Sequence, residues 1–133
     1  MSSMLTVLIL AAALLAAHEL GHIVTTVGLG GHFRGLVFRG VAIGVSLDLT
    51  GLSLRRRLQT VWAGTLAELA FAAVLSGLSL AGIVNMHLMA WAIVIVAANA
   101  TLNLGPWWSK SDGALIRRFW GQRHRPQHPP QTR

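Results

Sequence analysis

The sequence predicts a mainly α-helical membrane protein in which three transmembrane helices carry a short β-hairpin between the first and the second. Three observations lead to that fold class. The chain is 53% hydrophobic and only 11% charged, against the roughly 25% charged residues usual in soluble domains. Three apolar runs are each long enough to span a bilayer, which takes about 20 residues. The stretch between the first two runs is rich in glycine, Val, Ile, Leu and Phe, a composition that favours strand over helix.

The first span covers about residues 4–29 and contains "LLAAHELGHIVTT". A cleaved signal peptide over residues 1–17 is the rival reading. Its leading segment has no Lys or Arg, however, and the apolar run continues past His22. The β-rich segment, about 32–49, reads as a hairpin with Arg39 and Gly40 near its turn. The second span covers about 58–84. The short link "AGIVNMH" leads to the third, about 86–104. After it, "GPWWSKSDG" breaks the helix, "ALIRRFW" forms a short surface helix, and "GQRHRPQHPPQTR" has the composition of a disordered tail. A core of residues 1–116 and a basic cytosolic tail of 117–133 result. No internal repeat is evident. Cysteine is absent, which excludes disulfides and thiolate ligands.

Basic residues set the expected orientation. Arg34, Arg39, Arg55, Arg56 and Arg57 lie between spans one and two. Lys110, Arg117, Arg118, Arg123, Arg125 and Arg133 follow span three, so these two groups hold all eleven. An integral, multi-pass protein of the cell (inner) membrane is expected, with its N-terminus outside and its C-terminus cytosolic. The net charge of +7 then reads as a topology and lipid-headgroup signal. No interleaved aromatic or recognition-helix pattern points to nucleic acid.

Ionisable groups inside a span are expensive, which makes His18, Glu19 and His22 conspicuous. His18 and His22 stand four apart, on one helical face, with side chains able to converge on one ion. The pattern is H-E-x-x-H, in which two neutral imidazoles hold zinc and the glutamate takes a proton from water at the metal. A catalytic zinc needs a third protein ligand, and the remaining carboxylates are Asp48, Glu68 and Asp112. Spans one and three run in the same direction, so the end of span three shares the depth of the histidines. Pro106 allows the chain to turn back there, and Asp112 can then face them. Its alternative role is helix N-cap for "GALIRRFW". Glu68, in span two at a similar depth, stays open as an alternative ligand.

Together, "HELGH", "WAGTLAELAFAAVL" and "NLGPWWSKSDG" resemble, in order, the three signatures of the site-2 protease family of intramembrane zinc metalloproteases. That family shows H-E-x-x-H, a segment like A-G-P-x-x-N, then N-x-x-P followed by D-G. The resemblance spans most of residues 14–116 and includes the β-rich segment. It implies Zn2+ held by His18, His22 and Asp112, Glu19 as general base, and Asn103 as a polar group on the substrate backbone. Thr65 stands where the family usually has Pro, Glu68 where it has Asn, and Ser111 where Leu is commoner. The loop from Asn103 to Asp112 is one residue longer than usual. The length leaves no room for the PDZ domain that many members carry.

His32 reads as a surface histidine, His87 lies on the outer side, and His124 and His128 fall in the tail. Trp107, Trp108 and Trp120 are expected at the cytosolic interface. Asn99 and Asn103 share a helical face and suit bonds between helices. Small residues in "GTLAELAFAAVLSG" suit close packing and leave homo-oligomerisation open.

The expectation is a zinc endopeptidase that cuts a membrane-embedded peptide or protein near the cytosolic leaflet, with the lipid bilayer as its other partner. Two alternatives stay open, a non-catalytic homologue that binds membrane peptides and a proton or ion transport component.

Overall fold

The computed structural model describes residues 3–39, 42–105 and 111–123. Its elements run α1 (Ser3–Gly28), β1 (His32–Arg39), β2 (Ala42–Asp48), α2 (Leu54–Leu80), α3 (Met86–Leu104) and α4 (Asp112–Arg123). The expected turn residue Gly40, the helix breaker Pro106, the interface residues Trp107 and Trp108, and the tail with His124 and His128 lie outside the described residues.

Helices α1, α2 and α3 are long and apolar enough to cross a membrane, over Met4–Gly28, Leu54–Leu80 and Met86–Leu104. Only 22%, 28% and 11% of their most apolar windows are buried, so most of the apolar surface faces outward. Leu8, Val24, Leu66, Val74 and Ile93 are among the exposed side chains. A soluble bundle turns its apolar stripe inward. The reverse arrangement here is compatible with a multi-pass membrane protein.

Helix α2 begins four residues before the expected boundary and ends four before it. Ser53 takes extended dihedrals (φ −61°, ψ 156°), and its side chain accepts from the Arg56 amide. This N-cap starts the helix ahead of the apolar run and draws Arg55, Arg56 and Arg57 into its first turns. Ala81 caps the other end, and Gly82 follows at φ +72°. The hydropathy boundary at residue 58 marks where apolar side chains start, not where the backbone becomes helical.

The hairpin is antiparallel, with His32 opposite Asp48, Leu36 opposite Val45 and Arg39 opposite Ala42. Its register shifts between Phe33 and Gly35. Gly35 sits at φ +138°, a value that only glycine adopts without strain, and Arg34 occupies the bulge. From there its guanidinium reaches Asp48 at 2.6 Å.

Helices α1 and α2 cross closely. A β-carbon at Gly21 would come within 2.7 Å of the Ala67 β-carbon. Towards one end Leu10 and Leu14 of α1 pack on Ala92 and Val96 of α3. At the other, Leu58 and Val61 of α2 pack on Phe119 of α4. The second cluster fixes α4, and with it Asp112, beside α2.

Candidate metal centre

Buried polar side chains concentrate between the two apolar clusters. His18, His22 and Glu68 are 4%, 7% and 1% exposed, in helices whose other faces are apolar. One turn of α1 separates the two imidazoles, which brings their Nε2 atoms to 3.0 Å. The Oδ2 atom of Asp112 lies 3.4 Å from each of them. These are the three residues among those described whose donor atoms are grouped closely enough to hold one ion.

The protons in this group can be placed by elimination. His22 Nδ1–H donates to the Thr60 carbonyl at 2.8 Å, and a carbonyl only accepts, so the neutral ring leaves a lone pair on Nε2. His18 turns its Nδ1 towards Glu68 Oε1 at 3.4 Å without forming a hydrogen bond, and a proton on that nitrogen leaves Nε2 as an acceptor too. Two Nε2 lone pairs and a carboxylate oxygen therefore face one another. In that tautomer the 3.0 Å nitrogen pair is a meeting of two acceptors, and Asp112 Oδ2 is buried without a hydrogen-bond partner among the described residues. Acceptors aimed at one point repel unless a cation lies between them.

The spacing also suits a particular ion class. Tetrahedral zinc at about 2.0–2.2 Å from its ligands requires donor atoms about 3.3–3.6 Å apart. The two edges of 3.4 Å to Asp112 match that spacing and the 3.0 Å edge between the imidazoles is shorter than it; a pair of histidines with one carboxylate is a donor set that zinc accepts.

Asp112 reaches this position because Ser111, and not Asp112, caps α4. The Ser111 hydroxyl accepts from the Ala114 amide at 3.2 Å and donates to the Gly105 carbonyl at 3.0 Å. One side chain thus caps the start of α4 and ties it to the end of α3. Asp112, as the first helical residue, is left free to turn towards α1.

Space for the imidazoles comes from Gly64. A β-carbon there would lie 2.7 Å from His18 Nε2 and closer still to His22 Nε2. The "AG" of the α2 motif is thereby a steric requirement of the histidine pair, a role that sequence reading missed. Thr60 was missed as well, because its contribution is a backbone carbonyl. Asn99, read only as a helix-bridging residue, donates to Glu68 across α2 and α3.

A cavity of about 570 Å³ opens onto the centre and is lined by His18, Glu19, His22, Asn103 and Asp112. Strand β2 forms its far wall with Ile43, Val45 and Leu47. Glu19 is half-buried and lines the cavity opposite Val45 of β2. Asn103 Nδ2 donates to Asn99 Oδ1 at 3.0 Å. Glu68 does not line this cavity. It stands behind His18 on the Nδ1 side, away from the converging atoms. Asp48, the other carboxylate, lies at the end of the hairpin with Arg34. His32 is exposed on β1 and His87 is exposed on α3.

Comparison with models of known protein families gives no match, and comparison with curated proteins gives none either.

Proposed function

We propose that this chain is an intramembrane zinc metalloendopeptidase that hydrolyses a peptide bond of a membrane-embedded substrate near the cytosolic leaflet. The observation that carries the reading is the convergence of His18 Nε2, His22 Nε2 and Asp112 Oδ2 with edges of 3.0, 3.4 and 3.4 Å. The resemblance of the "HELGH", "WAGTLAEL" and "NLGPWWSKSDG" segments to the site-2 protease family supports the same chemistry. On this reading His18, His22 and Asp112 hold the ion. When bound, zinc acts as a Lewis acid and makes water ionisable near neutral pH.

Glu19, beside the histidines and open to the cavity, takes the proton of the attacking water and delivers it to the leaving amine. Asn103 faces the same space and offers amide contacts to an extended substrate backbone. A substrate helix must unwind to expose its bond, which frees backbone groups that the bilayer does not satisfy. The β2 edge is suited to receive them. Its strand neighbour is β1 alone, and Ile43, Val45 and Leu47 line the cavity beside Glu19, where an extended segment can add as a further strand. The distribution of Lys and Arg orients the N-terminus outside and the C-terminus in the cytosol.

The test is the zinc content of the purified protein, paired with cleavage of candidate membrane peptides with and without chelator. Stoichiometric zinc and chelator-sensitive cleavage are expected. Zinc without turnover favours the non-catalytic homologue. No zinc requirement favours a transport component.

A further inference from the structure

We propose that Glu68 is a positioning residue of the metal centre, the carboxylate that orients and polarises His18 from behind, and that Asn99 and Asn103 aim it. The inference rests on the metal-centre reading above and assigns a part to residues outside the ligand set.

Glu68 is 1% exposed, within an apolar helix. Among the described residues it faces no Lys or Arg, and its one ion-pair neighbour is His18 Nδ1 at 3.4 Å. The same oxygen, Oε1, accepts from Asn99 Nδ2. Asn99 Oδ1 in turn accepts from Asn103 Nδ2 at 3.0 Å. A carboxylate at Glu68 only accepts, so it receives the Asn99 N–H and leaves the Asn99 oxygen to Asn103. Every donor of the array therefore runs towards one carboxylate, and the group behind His18 is held as an acceptor.

An acceptor at that point keeps the proton on His18 Nδ1 and the lone pair on Nε2, where it meets His22 and Asp112. Ligating histidines ordinarily direct their second nitrogen to a carboxylate or a backbone carbonyl, which fixes the ring and raises its basicity. His22 uses the Thr60 carbonyl at 2.8 Å. His18 has the carboxylate. The charge argument agrees, because a carboxylate this deep in an apolar helix needs a counter-charge. A divalent ion held by His18, His22 and Asp112 supplies that counter-charge from the far side of the His18 ring.

The experiment measures zinc affinity of the full-length purified protein by competition with a chromophoric chelator. The visible spectrum of the cobalt-substituted protein is the second readout. Variants are Glu68→Gln, Glu68→Ala, Asn99→Ala and His18→Ala, with Thr65→Ala as a buried control on the same helix. Expected are a loss of affinity of about 10- to 100-fold for Glu68→Ala, smaller losses for Glu68→Gln and Asn99→Ala, and a shifted cobalt spectrum in all three. Thr65→Ala should match the unsubstituted protein. If Glu68→Gln fails to fold, Asn99→Ala carries the test, since it leaves the carboxylate in place. Affinities and cobalt spectra unchanged in the Glu68 and Asn99 variants, with His18→Ala still losing metal, overturn this inference alone. A loss in Glu68→Gln as complete as in His18→Ala makes Glu68 a ligand and also overturns it. If the unsubstituted protein and His18→Ala both bind no metal, the metal-centre reading itself fails.

Discussion

Gly64 of α2 lies directly against the His18 imidazole, so closely that a β-carbon at position 64 would come within 2.7 Å of His18 Nε2. The same carbon would press on His22. Glycine here is what permits α2 to cross α1 at the level of the histidine pair, with the Thr60 carbonyl still in reach of His22.

Gly64→Ala should therefore push the two rings apart or α2 away from α1. Overpacking of this kind destabilises by about 1–3 kcal/mol. The protein should still insert and fold, but zinc affinity should fall by roughly tenfold or more, as expected when the support of a ligating histidine is disturbed. Chelator competition reads it. Metal binding unaffected by Gly64→Ala would mean that the rings do not meet beside α2.

Glu19→Gln separates proton transfer from metal binding. The carboxylate lies in the cavity and is not among the three converging groups. Zinc content should stay stoichiometric while cleavage falls by about 10²- to 10⁴-fold. Loss of zinc from this variant would make Glu19 a ligand, and full turnover would remove it as the base.

The spans were legible because a helix that faces lipid must be apolar over its whole length, and the pairing of His18 with His22 was legible because four residues make about one turn. The start of α2 was not. It depends on a single hydroxyl at Ser53, whereas hydropathy counts Arg55, Arg56 and Arg57 as loop. The relation of Glu68 to His18 and Asn99 was hidden for another reason. It depends on how α2 and α3 are rotated about their axes, and helices apolar on nearly every face give little amphipathic pattern from which to read rotation. Thr60 acts through its backbone, which every residue has. Ser111 looked like a departure from a motif, and its capping function emerges only with Gly105 beside it.

The hairpin end offers a prediction independent of the metal. The Thr50 hydroxyl and backbone amide together with Arg34 hold the Asp48 carboxyl well below the usual carboxylate range. A depressed folded-state value means that the contact stabilises above the unfolded value of about 3.9 and is lost as pH falls below it. Amide exchange across the hairpin, corrected for its intrinsic pH dependence, should thus be insensitive to this group between about pH 5 and 8. Arg34→Ala should speed exchange slightly and equally across that range, since the pair is solvent-exposed. A strong residual pH dependence in that window would assign the hairpin's stability to another group.

Orientation is tested by reporters fused to the two ends of the chain. On the proposed topology, three spans with every Lys and Arg on one side should place the termini on opposite sides, and a reporter at residue 133 is expected in the cytosol. Both ends on one side would remove the parallel arrangement of α1 and α3, and with it the common depth of His18 and Asp112.

The third ligand separates Asp112 from Glu68. Both carboxylates lie 3.4 Å from His18, but at opposite nitrogens, Asp112 at Nε2 and Glu68 at Nδ1. One imidazole cannot direct both nitrogens to one ion, and only the Nε2 side also meets His22, again at 3.4 Å from Asp112. Asp112→Ala should consequently strip the zinc and abolish cleavage. Glu68→Gln should retain the metal at reduced affinity, with part of the activity, because Gln still offers an acceptor behind His18. Zinc content measured in parallel on the two variants decides. If Asp112→Ala keeps the metal and Glu68→Gln loses it, Nδ1 of His18 is the ligating nitrogen, and the centre lies between α1 and α2 instead of between α1 and α4.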